Sequence, residues 1–391
     1  MRYTRRQLVQ RGLALGMGLA LGNRVRAQRE ALRIGVVLPY SGVYAQLGED
    51  ITNGMLLYFE EVKNQAGGRP IQLIREDETA DPAVALRKVT KLVEQDRVDL
   101  LTGLVSTASA YAVRDYVHNT RNVLVVSNAG GNALTRDRKS PYIFRTSFTS
   151  WQVSFPLGRW VAERVAKRVA IVAADYAFGR ESAAAFKESF LAAGGQVVDE
   201  VYTPLGSTDY SAAITRLVRV RPQAVYGFLA GSDAAIFLKQ YAQFGLKGSV
   251  PLTTTGFTVE EDVIQAVGRD AEGAYSSLHW AVRLAIPENL RFVQAYQRRF
   301  NRVPSVYSMQ GYDTARVIVE AVNALKGEVA NKEKLVEALE GVRFRGPRGL
   351  FEFDPKTHQV VQNIYVRQVR DVGGGLANAV VADLGRVRDP G

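Results

Sequence analysis

The side chains that could carry chemistry in this sequence are few, and their spacing is poor for catalysis. There are three histidines, His118, His279 and His358, and no cysteine. The missing thiols exclude a disulfide scaffold, a thiolate zinc site, a cysteine nucleophile and a lipid-anchored N-terminal cysteine. His118 falls late in a helical pattern beside Asn119, and His358 follows Asp354-Pro355 in a turn, so both read as structural. His279 closes an apolar run beside Trp280 and is retained as a candidate ligand contact. Two acidic clusters, Asp77-Glu78 with Asp81 and Glu260-Glu261-Asp262, could suggest a metal. Both stand at turns or helix starts, where acids complement the helix dipole, and they read as capping, solvated residues. The basic stretch Arg216–Arg221 reads as a solvated helix face. No serine elbow, phosphate-cradling glycine-lysine loop or dinucleotide glycine fingerprint follows a strand. What remains is recognition: no catalytic residue, metal or cofactor is expected. An α/β enzyme is the rival class, and turnover of a bound solute would distinguish it.

The elements that must position such a site alternate along the chain. Residues 34–38 form a short apolar run with β-branched members, ending at Pro39 and Gly42, which predicts a buried strand and its exit turn. Residues 49–64 place Ile51, Met55, Tyr58, Phe59 and Val62 on one helical face, and Gly67-Gly68 ends that pattern. A strand over 71–74 precedes Asp81-Pro82, a cap and first-turn proline for a helix striped by Leu86, Val89, Leu92 and Val93. Strands over 98–104 and 123–127 flank a helix near 108–118. After Ser150 the cycle restarts, with strands over 169–172, 197–202, 224–229 and 250–254 and helices over 179–193, 211–220 and 233–244. Helices over 305–325 and 332–339 follow, and the tail turns to β at 350–353, 363–369 and 380–384. Continuous apolar strands between amphipathic helices predict an α/β fold of two similar doubly wound lobes, each with a parallel sheet covered on both faces.

Sheets of this kind place ligands at the carboxyl ends of their strands. Those positions hold Tyr40, Ser41 and Gly42 with Tyr44 beyond, Val105-Ser106-Thr107, Asn128-Ala129-Gly130-Gly131, Tyr176-Ala177-Phe178, and Phe228. Small hydroxyls, glycines and aromatics suit holding a small carboxylate beside an aromatic wall, since glycines admit a ligand to backbone N–H groups.

The chain has 391 residues, room for two to three domains. Its 47% hydrophobic and 23% charged residues exclude wholesale disorder. The formal charge of +11 is concentrated at the start, where Arg2, Arg5, Arg6, Arg11, Arg24 and Arg26 precede any acid, so no nucleic-acid partner is expected. Arg5-Arg6 stands ahead of an uncharged stretch over 12–22, much shorter than the ~20 residues of a spanning helix. Val25-Arg26-Ala27 offers a cleavage site. Together these predict an export signal over 1–27, of the twin-arginine kind, with general secretory export as the alternative. No other run is long and apolar enough to span a bilayer. Without a junction cysteine to carry a lipid, the mature chain is expected free in a periplasm.

Several of these segments, in this order and spacing, resemble the type I periplasmic solute-binding proteins of ABC importers, in the leucine/isoleucine/valine-binding branch. They are Ser41-Gly42, Gly103-Leu104-Val105-Ser106-Thr107, Asn128-Ala129-Gly130 followed by Phe144-Arg145-Thr146-Ser147, Tyr176-Ala177-Phe178-Gly179 and Gln310-Gly311-Tyr312-Asp313. The resemblance covers about 32–385. It implies a ligand cleft between two lobes, closed by a hinge of three crossings near 145–149, 276–283 and 355–362. Lobe 1 would combine 32–146 with 283–358, and lobe 2 would combine 147–282 with 359–391. It further implies a small-molecule solute, an ABC permease as transient partner, and a monomeric receptor. Carried over, the groups holding a ligand's carboxylate and amino ends fall on Ser106, Thr107, Ala129 and Gly131, the last in place of a hydroxyl residue, and the aromatic contact of lobe 2 falls on Phe178. The acid that would face an α-ammonium falls near Thr254-Thr255-Gly256, where none stands, which makes Thr255 the contact there. Asp233 reads as a helix cap. An amino-acid ligand would forfeit a charge-assisted bond of roughly 1.5–3 kcal/mol. The segments 144–148 and 277–280 are more similar to relatives that bind aromatic carboxylates, and Tyr40, Tyr44, Phe178, Phe228 and Trp280 supply the aromatics. The expected ligand is an aromatic or other organic acid, with a branched-chain amino acid or an amide or urea-like solute as alternatives.

Overall fold

In the computed structural model, which describes residues 30–391, the chain lays down one parallel sheet, then a second, and finally returns to both. The expected export signal lies outside the described residues. The first sheet takes β1 (Leu32–Leu38), β2 (Gln65–Ala66), β3 (Arg69–Asp77), β4 (Leu100–Gly103), β5 (Leu124–Val126) and β6 (Ile143–Arg145), in the order β2-β3-β1-β4-β5-β6. Its pairings are parallel except for the short β2–β3 hairpin. Helices α1 (Ala45–Glu61), α2 (Pro82–Glu94) and α3 (Thr107–Asn119) make the crossovers. At α2 the local code is explicit: the Asp81 carboxylate accepts from Ala83 N and Val84 N, Pro82 opens the helix, and Ala85, Val89 and Leu92 are buried.

The second sheet begins after α4 (Ser150–Arg164), with β7 (Arg168–Ala174), α5 (Ala177–Ala192), β8 (Gln196–Thr203), α6 (Ser211–Val220), β9 (Ala224–Phe228), α7 (Gly231–Gln243), β10 (Leu252–Thr255), α8 (Glu261–Val267) and β11 (Tyr275–Leu278). The chain then adds α9 (Pro287–Phe300), α10 (Val306–Ala324), α11 (Lys332–Glu340) and the hairpin β12 (Arg343–Gly346) to β13 (Gly349–Glu352). It finally returns with β14 (Gln362–Asp371) and β15 (Leu376–Val387), which pair antiparallel at the edge beyond β11. The order is β15-β14-β11-β10-β9-β7-β8. Two parallel-sheet α/β lobes result, as the alternating pattern predicted.

Among the helices that went unread in the sequence, α4 and α9 are the two longest. Each has a local signal: a Thr149/Gln152 capping box for the first and Pro287 in the opening turn of the second. Helix α10 packs closely on α1, and the contact is backbone to backbone. A Cβ on Gly54 would stand 1.9 Å from the Ser308 carbonyl oxygen, and one on Gly311 would stand 1.9 Å from that of Ile51. That approach offsets the roughly 1 kcal/mol that glycine costs inside a helix.

The chain passes between the sheets at 146–149, 279–286 and 353–361. Three fully buried arginines tie these passages down. Arg145 reaches the Ala129 and Gly131 carbonyls and Gln359. Arg348 joins Asp313 of α10 to the Thr146 carbonyl and Gln362. Arg367 on β14 holds the Gly256 and Trp280 carbonyls and pairs with Glu260 at 3.0 Å.

That pair corrects the sequence reading of the second acidic cluster. Glu260 and Glu261 are buried, not solvated. Glu260 accepts from Val306 N at the start of α10, and Glu261 accepts from the backbone and side chain of Asn378. Their charges are met inside the protein by Arg367, amides and a carboxamide. Among the described residues, no group of three or more His, Asp or Glu side chains could hold a metal ion.

Candidate functional site

The carboxyl ends of strands from both sheets meet around one buried cavity of about 20 Å³. The first lobe contributes Tyr44, Leu47, Val105, Asn128 and Gly130, and α10 contributes Tyr307. Across it stand Tyr176, Phe178, Phe228, Ala230 and Phe257, with Phe148 from the first passage between the sheets. The rings form a continuous wall: Phe148 lies 4.6 Å from Phe257 and 5.8 Å from Phe178, and Phe178 lies 4.6 Å from Phe228. Gly130 makes room for them, because a Cβ there would come within 2.4 Å of Phe148 and 2.6 Å of Phe178. The space left is about that of one water, so a ring-sized solute needs the walls to part.

The structure therefore brings Tyr44, Gly130, Phe178 and Phe228 together on the cavity. The other sequence candidates stand outside its lining. Ser106 caps α3 by accepting from Ser109 N, and the Thr107 hydroxyl is buried without a partner among the described residues. Ala129 donates its N–H to the Leu104 carbonyl, and Gly131 fits tightly against Thr107 and Tyr111. Tyr40 and Ser41 turn to Thr52 and Asp77. Thr255 closes β10 with its hydroxyl buried and unpaired among the described residues. His279 stacks on Phe148 at 5.7 Å, and Gln310 donates to its Nε2 while accepting from Asn128. Burial, helped by Arg348 and Arg367, holds that imidazole well below the ordinary histidine pKa, so it is neutral.

Two expectations need correction. Trp280 is not a cleft residue: its Nε1 donates to Asn289 of α9 and its ring meets Phe292 edge-on. Its partners come from the helix that the sequence reading missed. Asp233 does not cap α7, which Ala230 precedes as N-cap; it is buried and accepts from Gly206 N. Sequence reasoning in turn overlooked Phe148, Phe257 and Tyr307 as cavity residues. Only their aromatic character just after a strand or at a helix start could have marked them.

Glu78 also departs from the solvated reading. It is fully buried, and its carboxylate accepts from Val105 N at 2.7 Å and Ser106 N at 3.3 Å, occupying amides at the start of α3. Burial, against those hydrogen bonds, raises its pKa to about 7. Because the folded value exceeds the unfolded one, this group favours the fold fully below about pH 4.5, and the contribution is lost as pH climbs through 7. Glu78→Gln is expected to abolish a pH-dependent loss on the order of 2–3 kcal/mol between about pH 5 and 8. Denaturation midpoints over that range check it; a parallel decline in both proteins would assign the effect to other groups.

Chemically the lining is four phenylalanines, three tyrosines, a carboxamide and small or aliphatic residues, with no charged side chain. It can hold an apolar ring with polar ends, and it has no carboxylate to meet an ammonium. A larger groove of about 780 Å³ runs outside α4, between Trp151, Trp160 and the end of β15. No carboxyl end of a parallel strand reaches it, so it is not the site that the fold builds.

The profile of the periplasmic binding protein family matches residues 31–375. The chain belongs to that family. A Leu/Ile/Val-binding protein homolog of Brucella suis is 32% identical over 371 residues, spanning 93% of this chain and 94% of its own. An R. palustris ABC-transporter solute-binding protein in complex with benzoate is 32% identical, covers 92% of this chain and 98% of its own, and superposes with a TM-score of 0.88. A Rhodopseudomonas palustris solute-binding protein in complex with 3,4-dihydroxybenzoic acid is 32% identical, with coverage of 92% and 99% and a TM-score of 0.88. The family resemblance read from the sequence is thus borne out. Small-molecule binding is the activity that the family and the cavity share.

Proposed function

We propose that this periplasmic binding protein captures an aromatic carboxylate for an ABC importer and performs no chemistry on it. The observation that carries the reading is the ring-walled cavity between the sheets, with no charged side chain in its lining. The relatives seen with benzoate and dihydroxybenzoate support it. In an amino-acid complex the ammonium would need an anion. The nearest acid along the chain from Thr255 is Glu260, engaged by Arg367 and Val306 N, and Asp233 lies outside the lining. The passages at 146–149, 279–286 and 353–361 act as the hinge, dividing lobe 1 (32–146 plus 283–358) from lobe 2 (147–282 plus 359–391). Ligand enters with the lobes apart, and closure lays the phenylalanine wall against it. Ser106, Thr107, Ala129 and Gly131 are the groups that meet its carboxylate as the lobes close.

A thermal-shift and calorimetric screen tests this. Benzoate-like acids at about 100 times Kd should stabilise the fold by about 2.7 kcal/mol, whereas leucine, valine and urea should not. Tight binding of leucine with no affinity for any aromatic acid would overturn the ligand class. Mass spectrometry after incubation should return the solute unchanged, and turnover would overturn the receptor reading. The receptor works as a monomer that docks transiently on its permease, after export to the periplasm on the twin-arginine route with cleavage after Ala27. Replacing Arg5 and Arg6 with lysine should stop that export; normal export of the variant would indicate the general secretory route.

A further inference from the structure

On the reading of a receptor closed by a hinge, we infer that Glu181 is a positioning residue that latches the second lobe onto the 129–133 loop of the first, setting ligand affinity without touching the ligand. Glu181 belongs to α5, the helix after β7 of the second sheet, and stands outside the cavity lining. Its carboxylate accepts three hydrogen bonds. Two come from the first lobe, from the Tyr111 hydroxyl of α3 and from Asn132 N at 2.8 Å. The third, also at 2.8 Å, comes from the hydroxyl of Ser150, which opens α4 just past the first passage between the sheets. The Tyr111 hydroxyl in turn accepts from Ala133 N at 3.2 Å, so Glu181 and Tyr111 together hold successive amides of the loop. Burial, with Glu181 beside it, raises the Tyr111 phenol above the ordinary tyrosine pKa and keeps it a donor.

The loop is thereby gripped from both lobes. Arg145, at the end of β6 in its own lobe, binds the Ala129 and Gly131 carbonyls, and Glu181 meets it from the other lobe. A Cβ on Gly131 would stand 2.6 Å from the Tyr111 hydroxyl, so a larger residue there would displace the tyrosine that reaches Glu181. Glu181 follows Phe178 by three residues on α5, which puts both on one face of that helix. Phe178 is part of the cavity wall. The rotation that lays this wall against a solute therefore carries Glu181 to Asn132 and Tyr111. Opening has to break those charge-assisted bonds, so they favour the closed lobes whichever solute is inside. A residue that shifts the closed population changes every apparent affinity by one common factor.

Calorimetry with benzoate, phenylacetate and leucine tests the latch on the purified chain, with small-angle scattering to follow lobe closure. Glu181→Ala should weaken every solute that the wild type binds by a common factor of about 10 or more, chiefly through faster release, and leave their ranking unchanged. The solute concentration that half-closes the lobes should rise in step. Tyr111→Phe should cost about 3-fold, and the double variant should match Glu181→Ala within about 2-fold, because both act through one contact. Glu181→Gln keeps one carbonyl oxygen and should recover part of the affinity. The melting temperature of the ligand-free protein should move far less than that of the ligand-bound one. Affinity of Glu181→Ala within about 2-fold of wild type, single effects that multiply in the double variant, or equal falls in the two melting temperatures would overturn the latch and leave the aromatic-acid reading in place. Leucine binding alone, weakened by Glu181→Ala as stated, would overturn the aromatic-acid reading and support the latch. A wild-type chain that no solute closes would overturn both the hinge and the latch.

Discussion

Arg348→Ala is expected to cost about 3–5 kcal/mol of folding stability, the cost of breaking a buried ion pair on one side. Arg348 lies between β12 and β13 and meets Asp313 of α10 at 2.6 Å, with both side chains wholly buried. The same guanidinium donates to the Thr146 carbonyl and to Gln362, at the first and third passages between the sheets. Its loss leaves Asp313 facing burial alone, and burial already pushes that carboxyl up even with the arginine beside it. Urea denaturation measures the loss, which is a large part of the 5–15 kcal/mol typical of a folded domain. The double replacement Arg348→Met with Asp313→Leu should recover most of it, because no uncompensated charge remains. A single variant that loses less than about 1 kcal/mol would show that this pair does not hold the passages together.

Gly130→Val is expected to lower affinity for an aromatic carboxylate by 100-fold or more, about 2.7 kcal/mol. Its Cβ would fall within 2.4 Å of Phe148 and 2.6 Å of Phe178, and those rings have only a cavity of about 20 Å³ to move into. The valine therefore fills the space that ligand must take, while the strands behind it remain paired through β4 and β5. Isothermal titration on the folded variant decides the point. Gly130→Val together with Phe178→Ala should regain part of the binding, since the second change returns the lost volume. Unchanged affinity in the single variant would place the ligand elsewhere in the molecule.

What the sequence by itself determined was the rhythm of the chain and the nature of its strand ends. Apolar runs such as 34–38 and 169–172 can be satisfied only as buried strands, and the stripes of α1 and α2 only as helices packed on them, because those periodicities are local. Tyr44, Gly130, Phe178 and Phe228 were legible for the same reason: a doubly wound sheet directs its strand ends to one edge. Helix α9 was not, since it is strongly polar overall and only Asn289, Phe292 and Tyr296 of its fourteen residues are buried. The tertiary structure alone decided that Phe148, Phe257 and Tyr307, from a passage between sheets, a turn and a helix start, face the same cavity. No local pattern encodes that, because it depends on how the two sheets meet. The same holds for Glu78 and Glu260, whose positions resemble exposed caps in sequence. They are buried because Val105 N and Ser106 N meet one, and Val306 N and Arg367 the other, across long stretches of chain. A carboxylate's burial is set by the donors that arrive around it, and those donors are brought by the fold.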